Sequence, residues 1–216
     1  MSQYHGNVIK TARYPGETQG DFTQYLDKIQ LAYKNYTGET ALCVFLAGFA
    51  ETAALMNQVA TEYPTLLNLT WIGTDGTADH HLLLNEAGAP LSRVKLYSPM
   101  QSPDKKDEWY QEINTRFKEQ YNRDMTYSEA NTYDCCWLMA HCVIDTNTTN
   151  GETILNSIIE VSKNHRGMTG VLALDENGDR ADYGYDIHWY REKKGVFVSE
   201  VCGIYNPETD KIDWNK

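Results

Sequence analysis

Three short apolar runs separated by helix-length segments restrict this chain to an α/β architecture. Ala41-Leu42-Cys43-Val44-Phe45-Leu46 is apolar throughout, and Leu69-Thr70-Trp71-Ile72 and Val94-Lys95-Leu96-Tyr97 follow it. A strand that is apolar at every position has both faces buried, as in a parallel sheet covered by helices. Between the first two runs, Ala53, Met56, Val59, Ala60 and Tyr63 recur at helical spacing, and Pro64 ends the helix. Upstream, Asp21 with Gln24 reads as a capping box. It leads into a stripe of Phe22, Tyr25, Leu26, Ile29, Ala32 and Tyr33. Residues 7–13 read as a further strand. The pattern is β-α-β-α-β in units of about thirty residues. It predicts one parallel sheet over residues 7–98, with 41–46 as its central strand.

Beyond Ser98-Pro99 the character changes. A helix is predicted over about 104–122, with Trp109, Ile113, Phe117 and Tyr121 inward and Glu112–Arg116 and Glu119–Arg123 as surface ion pairs. A second helix starts near Ser128 as N-cap and runs to about Asp145. A third, from Glu152, buries Ile154, Leu155, Ile158 and Ile159. The first two are expected to form a layer of their own. The tail is β-rich. Asn177-Gly178 suits a tight turn with positive φ, and Tyr183, Tyr185, Ile187 and Trp189 alternate with period two.

Acidic residues outnumber basic ones 30 to 19, a net charge of −11. Such a balance opposes binding to nucleic-acid phosphates or to an anionic membrane surface. No apolar run has the length of a membrane span, and no cationic start leads into an apolar stretch. That leaves a cytoplasmic chain or one whose leader is not part of this sequence. The five cysteines include no CxxC. Cys136 and Cys142 lie about 9 Å apart along one helix, too far for a bridge. The thiols read as small buried hydrophobes. Cys43 and Cys202 fall on separate strands that could meet.

Several of these pieces occur in a recognisable order. Tyr14-Pro15-Gly16 precedes Asp21-Phe22 at a helix start. Val44-Phe45-Leu46-Ala47-Gly48-Phe49 ends a strand, and Gly73-Thr74-Asp75-Gly76 ends the next. Tyr133-Asp134-Cys135-Cys136-Trp137-Leu138-Met139-Ala140 begins a later helix. Gly167-Met168-Thr169-Gly170, Asp175 to Asp179, the tyrosine-rich strand and Gly195 to Tyr205 close the chain. This succession resembles the type I periplasmic binding proteins, the leucine/isoleucine/valine-binding family of ABC-transporter substrate-binding proteins. Ala47 stands where that family has a glycine, and Cys135 where it has an alanine.

The resemblance implies a type I periplasmic-binding-protein-like α/β fold, of which this sequence covers the C-terminal portion. Residues 1–98 would be most of lobe two. Residues 99–180 would be the C-terminal part of lobe one, and 181–216 the return crossing to lobe two and the tail. The crossings would lie near Ser98-Pro99 and Asp182–Tyr190. The implied function is non-catalytic capture of a small polar ligand, an amino acid or related amine, for an ABC importer. The implied partners are the transporter permease and the missing N-terminal part of the fold or a second chain. The implied location is periplasmic or extracellular. No cofactor, metal or nucleic acid is expected.

Ligands of open α/β sheets bind at the carboxyl ends of the strands. Asp75, between two glycines there, suits an ammonium group, and its alternative role is that of a turn residue. The family's acid at this position serves the amine, and its aromatic after the glycine packs on the ligand. By resemblance the candidate contacts are Asp75, Phe49, Thr74 and Gly48. Phe49 has no hydroxyl to offer, and a core position at the strand–helix junction is its alternative. Glu51 suits a helix start. Asp175, Asn177, Asp179 and Asp186 lack the glycine and glutamate positions of a calcium loop. Asp79-His80-His81 has no third metal ligand at suitable spacing. His141 and His188 stand alone in a helix and a strand and read as structural. No GxSxG, P-loop, GxGxxG or HExxH is present. The alternatives are a ligand-sensing receptor domain of the same fold and a small flavodoxin-like α/β enzyme built on Asp75, His80 and Cys43.

Overall fold

The computed structural model describes residues 6–215 apart from positions 17, 19, 102, 104, 181–183 and 208. Asp182 and Tyr183 therefore lie outside the described residues. The chain divides into two compact units. The first comprises residues 1–100, 187–203 and 214–216, and the second residues 101–186 and 204–213.

The first unit alternates helix and strand: α1 (Thr23–Asn35), β1 (Cys43–Phe45), α2 (Thr52–Glu62), β2 (Thr70–Ile72), α3 (His81–Val94) and β3 (Leu96–Gln101). β1, β2 and β3 run parallel, with Val44 opposite Trp71 and Trp71 opposite Leu96. Trp71 is the largest fully buried side chain, and its indole N–H donates to the Leu66 carbonyl at 3.0 Å. Phe22 and Leu26 of the first helical segment, and Ala53, Met56 and Val59 of α2, are buried around it as their periodicity requires. α3 occupies a stretch that the sequence reading leaves unassigned. Leu83, Ala87, Leu91 and Val94 recur at three- and four-residue steps and are all buried, although Ala87 departs from helical φ/ψ and Pro90 sits inside the helix. Both features mask the pattern.

The sheet order is β1-β2-β3-β6-β7-β8, with β6 at Tyr185–Lys193, β7 at Val196–Asn206 and β8 at Lys211–Trp214. β1 is thus an edge strand, not the central one, and Phe45 is 67% exposed. The expected strand over 7–13 does not form either. Val8, its strongest β-former, is 84% exposed, so no burial offsets the entropy of ordering it. The helix-start expectation also shifts. Asp21 accepts the Thr23 backbone N–H at 2.9 Å from one position before the Phe22 cap, and Gln24 makes no reciprocal bond.

β6 and β7 are joined by Lys194 and Gly195, both at positive φ. Two such residues match the twist of a tight hairpin. The turn expected at Asn177-Gly178 forms as well, with Leu174 bridging Arg180 antiparallel across it. There only Gly178 takes positive φ, and the Asp175 carboxylate accepts the N–H groups of Asn177 and Asp179. The buried anchor of β6 is Tyr190, on the opposite parity from Tyr185, Ile187 and Trp189.

The second unit holds α4 (Glu108–Tyr121), α5 (Tyr127–Thr146) and α6 (Gly151–Ser162), followed by the short antiparallel pair β4 (Arg166–Gly167) and β5 (Gly170–Val171). Asp107 caps α4 through the N–H groups of Trp109 and Tyr110. Tyr110 is the buried residue of α4, while Tyr121 is 55% exposed. Arg123 pairs with Glu129 at 2.5 Å, and neither predicted i,i+4 pair forms among the described residues. α5 starts two residues earlier than expected. Thr126, not Ser128, is its cap, and Glu129 reaches back to the Thr126 N–H at 2.7 Å. Arg123 first, then the Thr126 bonds, hold the Glu129 carboxyl down at about 2.

α4 meets α5 through Tyr110, Ala130 and Tyr133, and α5 meets α6 through Leu138, Cys142 and Ile154. Leu155, expected inside, is 70% exposed, as is Ile144. The apolar faces of these helices are broader than their own unit covers. Beneath them, the Asp134 carboxylate accepts the N–H groups of Met168 and Thr169 at 2.8 Å each and the Thr169 hydroxyl at 2.5 Å. Gly167 allows this approach, because a Cβ there would lie 2.3 Å from Asp134 Cγ.

Candidate functional site

The loops that leave β1 and β2 at their carboxyl ends carry all four candidate residues, and they touch. Gly76 is the contact point. A Cβ on it would stand 2.6 Å from Phe49 Cδ1 and 2.7 Å from the Gly48 carbonyl oxygen, so the ring and backbone of the first loop rest directly on the second. Phe49 is 66% exposed, and Asp75 is exposed at the head of the turn Asp75–Thr77. The core reading of Phe49 is therefore excluded. Thr74 is half-buried and Gly48 is buried. An exposed apolar ring resting on the loop that carries an exposed carboxylate offers a cationic or amine-bearing group a charge-assisted partner and a contact face.

Each loop is held from behind by polar groups. The Glu51 carboxylate accepts the Phe49 N–H at 3.0 Å and the Tyr14 hydroxyl at 2.9 Å. Burial, then the bond and charge of Glu51, push the Tyr14 phenol well above its ordinary range. Glu51 thus fixes the first loop in addition to starting α2. Under the second loop, the buried Thr77 hydroxyl meets Ser98 Oγ at 2.8 Å. Tyr190 reaches up from β6, donates to the Thr77 carbonyl at 2.7 Å and accepts the His80 N–H at 3.0 Å. Burial pushes its phenol up to about 12. The link spans more than a hundred residues of sequence, so no local pattern announces it.

Tyr190→Phe leaves the Thr77 carbonyl and the His80 N–H without a partner. The expected cost is about 1–3 kcal/mol. Amide exchange in residues 74–80 should accelerate while the core of α2 stays protected. Unchanged exchange at His80 would show that Tyr190 does not hold this loop.

The remaining candidates fall elsewhere. A groove of about 770 Å³ runs along the open edge of β1 past Val8, Ile29, Tyr33 and Val44, away from the Asp75 loop. It reflects the unpaired strand edge, and it carries no convergent charged groups. Asp175 spends its carboxylate on its own turn. The described residues hold no group of three or more His, Cys, Asp or Glu arranged for a metal. Cys43, Cys135 and Cys136 are exposed, so only Cys142 and Cys202 behave as buried hydrophobes. Cys43 and Cys202 do not meet, because β2, β3 and β6 stand between their strands. No helix among the described residues is long and apolar enough to cross a membrane.

Comparison with known proteins bears on the family and the fold. Residues 5–191 match the model of the receptor family ligand binding region. The chain is 30% identical over 183 residues to MJ1266 of Methanocaldococcus jannaschii, covering 79% of this chain and 42% of that protein. Among solved structures it resembles a leucine-binding protein LivK from Thermotoga maritima, with TM-score 0.64, 18% identity, and coverage of 88% of this chain and 50% of that one. It also resembles the branched-chain amino acid transporter substrate-binding protein LivJ from Streptococcus pneumoniae, solved with isoleucine. There the TM-score is 0.54 and the identity 17%, over 84% of this chain and 48% of that one. An ABC transporter substrate-binding protein from Sphaerobacter thermophilus gives 0.60 and 18%, over 90% and 51%. The chain spans about half the length of these relatives. With the family model matched over most of its length and a parallel sheet presenting paired loops at its carboxyl end, the chain belongs to the receptor family of ligand binding regions and has the type I periplasmic binding fold.

Proposed function

We propose that this chain captures a small amine-bearing ligand of the amino-acid class, without chemistry, for import by an ABC transporter. The observation that carries the reading is the meeting of the Asp75 carboxylate loop with the exposed Phe49 ring at Gly76. Support comes from two neighbours, one described as a leucine-binding protein and the other as a branched-chain amino acid transporter substrate-binding protein. In this reading Thr74 and the Gly48 backbone add polar contacts. Residues 1–98 form most of one lobe, 99–180 the C-terminal part of the other, and 181–216 the return. The partners are a transporter permease and a further segment or chain that completes the binding fold. The location is extracytoplasmic. The family's description as a receptor region favours one second reading, a ligand-sensing domain using the same site.

The test uses the completed protein and titration calorimetry with an amino acid and its deaminated analogue. A hydrogen bond to a charged group contributes roughly 1.5–3 kcal/mol. Asp75→Asn should therefore weaken amino-acid binding by about ten- to a hundredfold, and leave the deaminated analogue almost unaffected. Phe49→Ala should weaken both ligands by loss of apolar contact. Equal losses for both ligands on Asp75→Asn would reduce Asp75 to a turn residue.

A further inference from the structure

Two histidines that the sequence separates widely come together in the second unit, far in the chain from the candidate ligand loops. His141 lies on the exposed face of α5. His165 follows α6 and leads into β4. Its N–H donates to the Ser162 carbonyl at 3.1 Å, and its own carbonyl accepts the Leu172 N–H at 2.9 Å, so its backbone is held on both sides. The two imidazole centroids are 4.8 Å apart with the rings inclined at 59°. Trp137, one turn before His141, packs against that ring at 6.4 Å. His165 Nε2 is buried and has no hydrogen-bond partner among the described residues. A buried ring nitrogen left without a partner calls for an explanation.

We propose that His141 and His165 form an open two-histidine site for a borderline divalent transition-metal ion of the Zn²⁺ class. Metal–nitrogen bonds of about 2.0–2.1 Å at tetrahedral angles put two imidazoles that share one ion roughly 5 Å apart between centroids. The observed spacing matches that arrangement. Imidazole nitrogen suits Zn²⁺, Cu²⁺ and Ni²⁺ and does not suit Ca²⁺ or Mg²⁺, which require oxygen ligands.

No protein group of three or more ligands gathers among the described residues. Asp134 is committed to Met168 and Thr169. Cys142, the residue after His141, is fully buried among Leu138, Ile154 and Leu172. Water therefore completes the coordination, and the ion is exchangeable. Bound there, it ties α5 to the segment that enters β4.

The experiment titrates ZnCl₂ into the chain by calorimetry and follows thermal unfolding with and without the ion. The expected result is one ion per chain and a midpoint that rises with Zn²⁺ concentration, as for any ligand of the native state alone. His141→Ala should lower the affinity by at least about tenfold. It removes an exposed side chain, so its unfolding without metal should match the parent's and certify that it is folded. His165→Gln should show the same loss. Cys135→Ser with Cys136→Ser, and His80→Ala with His81→Ala, should bind as the parent does. The proposal is overturned if the parent binds no Zn²⁺, if His141→Ala binds as tightly as the parent, or if the cysteine or His80/His81 variants lose the ion instead.

Discussion

Replacing Asp134 with alanine is expected to destabilise the second unit by roughly 3–5 kcal/mol, because three buried donors lose their shared acceptor. The carboxylate is 1% exposed and receives two backbone N–H groups and a hydroxyl from Met168 and Thr169. Alanine leaves all three donors buried and unpaired, each a desolvation cost of about 1–3 kcal/mol if no water enters. The turn they belong to is also tied by Arg180, whose guanidinium donates to the Thr169 hydroxyl and carbonyl at 2.8 Å each. For a chain of this length each kcal/mol moves the unfolding midpoint by about 2–4 °C. A fall of roughly 10 °C is therefore expected. Amide exchange at Met168 and Thr169 should rise to that of the exposed loops. Gly167→Ala should act through the same contact, so the double variant should cost less than the two single changes added. A midpoint within a degree or two of the parent would show that this network does not anchor the turn.

Trp71→Ala should cost the first unit about 3–5 kcal/mol, the usual range for an aromatic truncated in a core. The side chain is 1% exposed in the middle of β2, paired to Val44 on one side and Leu96 on the other. Alanine removes its packing volume and also strips the Leu66 carbonyl of its indole donor. Trp71→Phe keeps most of the volume and loses only that bond, so it should cost less. Because the chain has two units, the effect is also read within the unit that carries the change. Amide exchange in β2 and α2 reads the effect locally. Equal losses for the alanine and phenylalanine variants would mean that the bond to Leu66, and not the packing, dominates.

The parallel strand-helix alternation was legible because burial enforces a period. Phe22 and Leu26, Ala53, Met56 and Val59, and the runs ending at Leu46, Ile72 and Tyr97 all declare themselves through spacing. α3 did not, because Pro90 and the departure at Ala87 interrupt its repeat. The Phe49 and Asp75 loops were legible as glycine-flanked strand ends. Their supports were not. Glu51 and Tyr14 lie 37 residues apart, and Tyr190 lies 113 residues from Thr77.

By itself the sequence determined α1, α2 and the segments of β1 to β3 but not α3, that those three strands run parallel, and where the strand-end loops stand. Those properties follow from local periodicity and from the chain geometry of β-α-β units. Only the tertiary structure decided that β1 lies at the sheet edge, that Gly76 receives the Phe49 ring, that Asp134 holds the Met168-Thr169 turn, and that His141 meets His165. Strand order and side-chain encounters between distant segments depend on how the units of structure pack. An apolar run has the same composition at the centre of a sheet and at its edge, so its period carries no record of its neighbours.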